Sequence, residues 1–98
     1  MFDYTVFREN SPAVFNEVCK IIEAALPDAV KQKLLIDFDG TTIQTFKYQG
    51  KDIDIFDDYD VGAVFIQSGI DLSKVKGLFA YTDDFIVNDS IASMVEQQ

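Results

Sequence analysis

The order of apolar and polar residues along the chain predicts a strand followed by a helix. Residues 2–7 alternate at their start and are rich in aromatic and β-branched types, as in a β-strand. Ser11 and Pro12 suit the cap and first turn of a helix. Apolar residues then recur at spacings of three and four as far as Leu26, and Pro27 ends the run. We expect an amphipathic helix with one broad apolar face.

Beyond this helix the apolar residues recur at a spacing of two, as in a β-strand. Asp39-Gly40 is a dipeptide favoured in two-residue hairpin turns, and residues 41–48 are β-branched and aromatic enough to form the returning strand. The strand before the turn would present one face made of Leu34, Ile36 and Phe38.

The second half of the chain predicts further strands and a terminal helix. A third strand begins with the alternation of residues 52–55, and residues 57–60 read as an acidic turn. The continuous apolar run 61–66 is typical of a central strand covered on both faces. A short strand over 78–82 and a helix from Ser90 follow. The pattern predicts one α+β domain over residues 1–98: an antiparallel sheet of about four to six strands, an amphipathic N-terminal helix packed on it and a short C-terminal helix.

Composition supports a single core without covalent staples. The 98 residues are 48% hydrophobic and include nine Phe, enough apolar surface to offset chain entropy. Cys19 cannot form an internal disulfide, since it is the only cysteine, and its apolar neighbours predict a buried thiol. With no basic leader and no long apolar stretch, we expect a cytoplasmic protein that does not enter membranes.

Charge is distributed unevenly. The chain has 17 acidic and 8 basic residues, for a net charge of −9, and beyond residue 51 the bases are Lys74 and Lys76 alone. Such a field repels phosphate backbones and anionic lipid and speeds association with a basic partner. Direct binding of nucleic acid is therefore disfavoured.

Residues 34–42, Leu-Leu-Ile-Asp-Phe-Asp-Gly-Thr-Thr, resemble the first signature of the haloacid-dehalogenase-like phosphatases. The resemblance implies Asp37 as a nucleophile and Asp39 as an acid/base beside magnesium. However, that family has a larger, doubly wound fold in which a helix follows the signature, whereas here a β-type stretch follows. A hairpin turn is the favoured interpretation, and the phosphatase is the minor alternative.

Acidic residues cluster around aromatic ones in the second half of the chain. The cluster lacks the glycine and terminal glutamate of a calcium loop, so we expect a solvated acidic face and no metal or other cofactor. Partly exposed rings among carboxylates suit a protein-binding hot spot with an electrostatic rim. The candidate partner-binding residues are Asp52, Asp54, Asp57, Asp58, Tyr59, Asp60, Tyr81, Asp83 and Asp84.

Histidine is absent, which removes the commonest general base and the Ser-His and Cys-His dyads, so we expect no enzyme. Small size, acidity and aromatics among acids are together similar to the bacterial immunity proteins of nuclease toxins, including those of contact-dependent growth inhibition systems. The resemblance implies an inhibitor whose carboxylates replace substrate phosphates in a basic nuclease toxin domain. The alternative is a non-catalytic adaptor or subunit that forms a homodimer through an exposed strand edge at 2–7 or 78–82.

Overall fold

The computed structural model describes residues 1–79, which form an α+β structure of one helix and a six-stranded sheet. Tyr81, Asp83, Asp84 and the helix expected from Ser90 lie outside these residues. The elements in chain order are β1 (Phe2–Phe7), α1 (Pro12–Ala25), β2 (Val30–Lys31), β3 (Leu35–Ile36), β4 (Thr42–Tyr48), β5 (Lys51–Asp58) and β6 (Ala63–Ser68).

The sheet is antiparallel throughout, with the strand order β1-β6-β5-β4-β2. The short strands β2 and β3 both pair with β4, β2 near its end and β3 at its start. The strand expected before Asp39-Gly40, its returning strand and the third strand correspond to β3, β4 and β5, which pair in sequence order, although β3 is shorter than expected. The strand β6 then pairs with β5. Among the described strands, β1 is the first in this order and is hydrogen-bonded to β6.

The helix α1 begins and ends where the sequence predicts. Ser11 has an extended backbone, and its hydroxyl accepts the backbone N–H of Val14 at 3.2 Å, which satisfies one otherwise free donor of the first turn. Pro12 occupies the first turn, and Pro27 stands just beyond the last. The helix buries Val14, Phe15, Val18, Cys19 and Ile22.

These helical side chains form a single hydrophobic cluster with one face of the sheet. Phe46 of β4, Ile53 and Ile55 of β5, and Ile66 of β6 contribute fully buried side chains to it. Leu72 and Leu78, which follow β6, also belong to the cluster. The helix-facing side of the sheet is thus the core side.

Two predictions about the later strands were wrong. The sixth strand begins at Ala63, because Val61 and Gly62 belong to the preceding turn. Its outward face is also only partly covered, as Gln67 is exposed there. Residues 78 and 79 lie in a turn where a strand was expected; the rest of that predicted strand is outside the described residues.

Within residues 1–79, no helix is both long enough and apolar enough to cross a membrane.

Candidate functional site

Two connections meet at one end of the sheet. Thr42, at the start of β4, pairs with Asp57, near the end of β5, so the loop before β4 lies beside the turn after β5. A Cβ atom placed on Gly40 would lie 3.9 Å from the Cβ of Tyr59. We call residues 37–41 and 58–62 together the acidic end, since they contain four aspartates and no basic residue.

The loop at 37–41 has three residues at its tip where the sequence predicted two. The N–H of Gly40 donates to the carbonyl of Asp37 at 3.1 Å, and the N–H of Asp37 donates to the carbonyl of Thr41 at 2.8 Å. Gly40 has a φ of +89°, which completes a type I turn closed by a glycine bulge. The additional residue is Phe38, whose side chain is fully exposed at 108% of its reference area.

The two carboxylates of the phosphatase-like signature stabilise this loop. The Oδ1 atom of Asp37 accepts the N–H of Phe38 at 2.8 Å, and the Oδ1 atom of Asp39 accepts the N–H of Thr41 at 2.9 Å. Such side-chain-to-backbone bonds are why Asp is common in turns. The segment that follows is strand β4, as the hairpin interpretation requires.

Asp58 stabilises the turn at 58–62 with two hydrogen bonds. Its carboxylate accepts the N–H of Val61 at 3.0 Å, and its carbonyl accepts the N–H of Gly62 at 2.9 Å. Tyr59 is 65% exposed, so the expectation that this ring faces solvent is confirmed. Val61 is exposed beside it.

Asp57 does not belong to this surface, which corrects the acidic turn predicted from residue 57. The strand β5 continues to Asp58, and Asp57 shares the helix-facing side with Ile53 and Ile55. Only 7% of Asp57 is exposed, and its Oδ1 atom accepts the backbone N–H of Ser11 at 2.8 Å. The carboxylate therefore fixes the start of α1, where it also faces the positive end of the helix dipole.

Asp52 and Asp54 lie on the outward face of β5, away from the acidic end. Both have partners on β4: Asp52 forms an ion pair with Lys47 at 2.7 Å, and Asp54 accepts the hydroxyl of Thr45 at 2.6 Å. Such cross-strand pairs stabilise the sheet. Six of the nine predicted site residues are described, and they are divided: Asp58, Tyr59 and Asp60 come together, Asp52 and Asp54 lie farther along the strand, and Asp57 is buried. The other three, Tyr81, Asp83 and Asp84, lie outside the described residues.

Asp39 and Asp60 bring the two segments of the acidic end into electrostatic contact. The N–H of Thr41 holds the pKa of Asp39 below its usual range. Its hydrogen bond with Asp39, followed by the charge of that carboxylate, raises the pKa of Asp60. The protonation of one carboxylate therefore depends on the charge of the other. Within residues 1–79, no group of three or more acidic or cysteine side chains is arranged to hold a metal ion.

This contact predicts an order of titration. Asp60 is expected to take up its proton at a higher pH than Asp39, because the ionised Asp39 disfavours a second negative charge beside it. In Asp39→Asn the pKa of Asp60 should fall, since the neighbouring charge is gone. Titration followed by carboxyl ¹³C NMR measures the pKa values of Asp39 and Asp60, and that of Asp60 in the variant. An unchanged pKa of Asp60 in Asp39→Asn would contradict the contact.

Comparison of the chain with protein-family models, curated proteins and solved structures gave no match. The arrangement of its own residues therefore carries the functional argument. The sequence interpretation missed Phe38 as a member of the acidic end, because it placed Phe38 within a strand; the Asp-Phe-Asp-Gly sequence, with glycine at the bulge position of a three-residue loop, was the available signal.

Proposed function

We propose that this chain is an inhibitor of the immunity-protein type, which binds and neutralises a basic nuclease toxin through its acidic end. One observation carries the proposal. Phe38 and Tyr59 are exposed on two adjoining connections whose charged residues are all aspartates. Exposed rings surrounded by charges of a single sign are typical of an interface centre with an electrostatic rim.

The chemistry fits a nuclease as the partner. A nuclease binds phosphate with Lys and Arg side chains, and carboxylates such as Asp58 and Asp60 can accept charge-assisted hydrogen bonds from the same groups. The rings would supply apolar contact area, which phosphate mimicry alone lacks. We infer that the acidic end covers the phosphate-binding surface of the toxin.

The remaining acids would contribute at long range. Asp52 and Asp54 already have partners on β4, so we assign them no direct contact in the complex. Together with the rest of the −9 charge, they add to a negative field that raises the rate of encounter with a basic protein. This contribution should decline as salt increases, because exposed charges are screened beyond about 10 Å at 0.1 M.

The test is co-expression with the protein encoded immediately upstream. The proposal expects that co-expression restores growth, and that a complex co-purifies at low salt and weakens as salt rises. The proposal would be contradicted if co-expression neither restored growth nor gave a complex.

The acidic end itself is tested by Asp58→Asn with Asp60→Asn. Asn at 58 retains the oxygen that accepts the N–H of Val61, so the turn should persist. We expect the dissociation constant to rise by at least about tenfold, roughly 1.4 kcal/mol. Tyr59→Ala should raise it further, because an aromatic ring at the centre of an interface contributes more than a charge at its rim.

The matched control is Glu17→Gln with Asp28→Asn. It removes the same number of charges from exposed positions on the helix and the turn after it. Isothermal titration calorimetry should show affinity near that of the unaltered chain. Equal weakening in both double variants would indicate that net charge, and not this surface, governs binding.

A further inference from the structure

The sheet has an uncovered apolar edge at β3. Leu35 and Ile36 point to opposite faces of the sheet, yet they are 55% and 71% exposed. Leu34, just before them, is exposed as well. Within residues 1–79, β3 pairs with β4 alone, so its other side is an open edge.

The backbone of this edge has free hydrogen-bonding groups that point outward. The N–H of Asp37 donates to the carbonyl of Thr41, so these two residues form a bonded pair of the hairpin. Antiparallel pairs alternate between bonded and non-bonded, and Ile36 opposite Thr42 is therefore a non-bonded pair. Its N–H and C=O are directed away from β4, where another strand could use them.

The order of charges along this edge is complementary to that of a second, antiparallel copy. Lys31 and Lys33 precede the apolar residues, and Asp37 and Asp39 follow them, so residues 31–39 are neutral overall in a chain of net charge −9. An antiparallel copy presents the reverse order. With Leu35 on a two-fold axis, Lys33 of each copy lies opposite Asp37 of the other.

We propose that two copies of this chain pair antiparallel along residues 33–37, so that their sheets join across β3. The contact is isologous, as two-fold symmetry requires, and buries the exposed Leu34, Leu35 and Ile36 of both copies. A uniformly basic partner strand would meet Lys31 and Lys33, so this edge suits a copy better than it suits the toxin. The dimer does not depend on the proposed inhibitor function.

This edge differs from the two that the sequence suggested. Among the described strands, β1 is the outermost on the other side of the sheet, but Val6 is buried in the core and Tyr4 and Phe7 pack against it. Residues 78 and 79 are not in a strand. Phe2 of β1 and Val30 of β2 are exposed as well, but within residues 1–79 the longest run of exposed apolar side chains is Leu34, Leu35 and Ile36 at β3.

The test is sedimentation equilibrium of the full chain over a concentration series from micromolar to millimolar. At 0.15 M salt, repulsion between the acidic copies is screened beyond about 8 Å. The average mass should rise with concentration from 11.0 kDa toward twice that value. A constant mass of 11.0 kDa over the whole series would overturn the proposal.

Substitutions at two positions, Ile36 and Lys33, locate the contact. Ile36→Pro removes the outward N–H without removing a bond to β4, and should raise the dimer dissociation constant at least tenfold. Ile36→Thr retains that N–H and should weaken the dimer less. Lys33→Glu should also weaken the dimer, and adding Asp37→Lys should restore it, because the opposed pair is then reversed. Circular dichroism checks that each variant is folded. A folded Ile36→Pro variant that dimerises as well as the unaltered chain would refute pairing along β3.

Discussion

Phe46→Ala is expected to lower the free energy of unfolding by about 3–5 kcal/mol, the range for deleting a buried aromatic ring. The Phe46 side chain is fully buried in the cluster between α1 and the sheet, and alanine would leave a cavity there. Since domains of this size unfold with about 5–15 kcal/mol, the loss is a large share of the total. Urea denaturation followed by circular dichroism measures it, with the midpoint moving to lower urea.

The matched control is Phe38→Ala, the same substitution at a fully exposed ring. Phe38 contributes no buried area, so its stability change should stay within about 0.5 kcal/mol. If Phe38→Ala destabilised the chain as much as Phe46→Ala, the exposed placement of the hairpin tip would be wrong.

Asp57→Ala is expected to lower the free energy of unfolding by about 1–3 kcal/mol, because it leaves the N–H of Ser11 without its acceptor. The loss also removes a negative charge from the positive end of α1. Thermal unfolding should show the change as a lower Tm, by roughly 4–8 °C for each kcal/mol in a domain of this size.

Two further substitutions separate the causes. Asp57→Asn retains an acceptor oxygen and should recover most of the hydrogen-bond contribution, leaving the loss from the helix dipole at about 0.3–1 kcal/mol. Asp52→Ala, on the same strand but on its outward face, removes only an exposed ion pair with Lys47 and should cost about 0–1 kcal/mol. Equal losses for Asp57→Ala and Asp52→Ala would show that Asp57 is not a buried anchor.

Local patterns were sufficient for the elements whose signals lie within a few residues. The cap at Ser11, the proline beside it and the apolar spacing of α1 predicted that helix closely, and alternation predicted β1 over the residues it occupies. Both depend on interactions between near neighbours in the sequence, which the sequence displays directly.

Asp57 shows what a local pattern leaves out. The alternation that places Ile53 and Ile55 inside also places Asp57 inside, but its acceptor role depends on Ser11, a residue on a distant element. Its charge groups Asp57 with its acidic neighbours, whereas its odd-numbered position in the alternating strand places it with the core residues Ile53 and Ile55. The alternation can be seen in the sequence. The hydrogen bond from the Ser11 N–H, which offsets the cost of burying the carboxylate, cannot.

The acidic end could be predicted only in part. Asp58, Tyr59 and Asp60 were identified as a group, but their proximity to Asp39 and Phe38 follows from the register that sets Thr42 opposite Asp57. A register is fixed by pairing along the whole strand and by loop length, and the loop was one residue longer than its Asp-Gly dipeptide suggested.

The pairing of β1 with β6 also governs how the fold can assemble. Strands β4 to β6 pair with their neighbours in the sequence, so each contact closes only a short loop at low entropic cost. Within residues 1–79, docking β1 on β6 closes a loop that contains α1 and strands β2 to β5. Val6 of β1 belongs to the buried cluster, so part of the core depends on this long-range pairing, and pairings between residues distant in sequence slow folding.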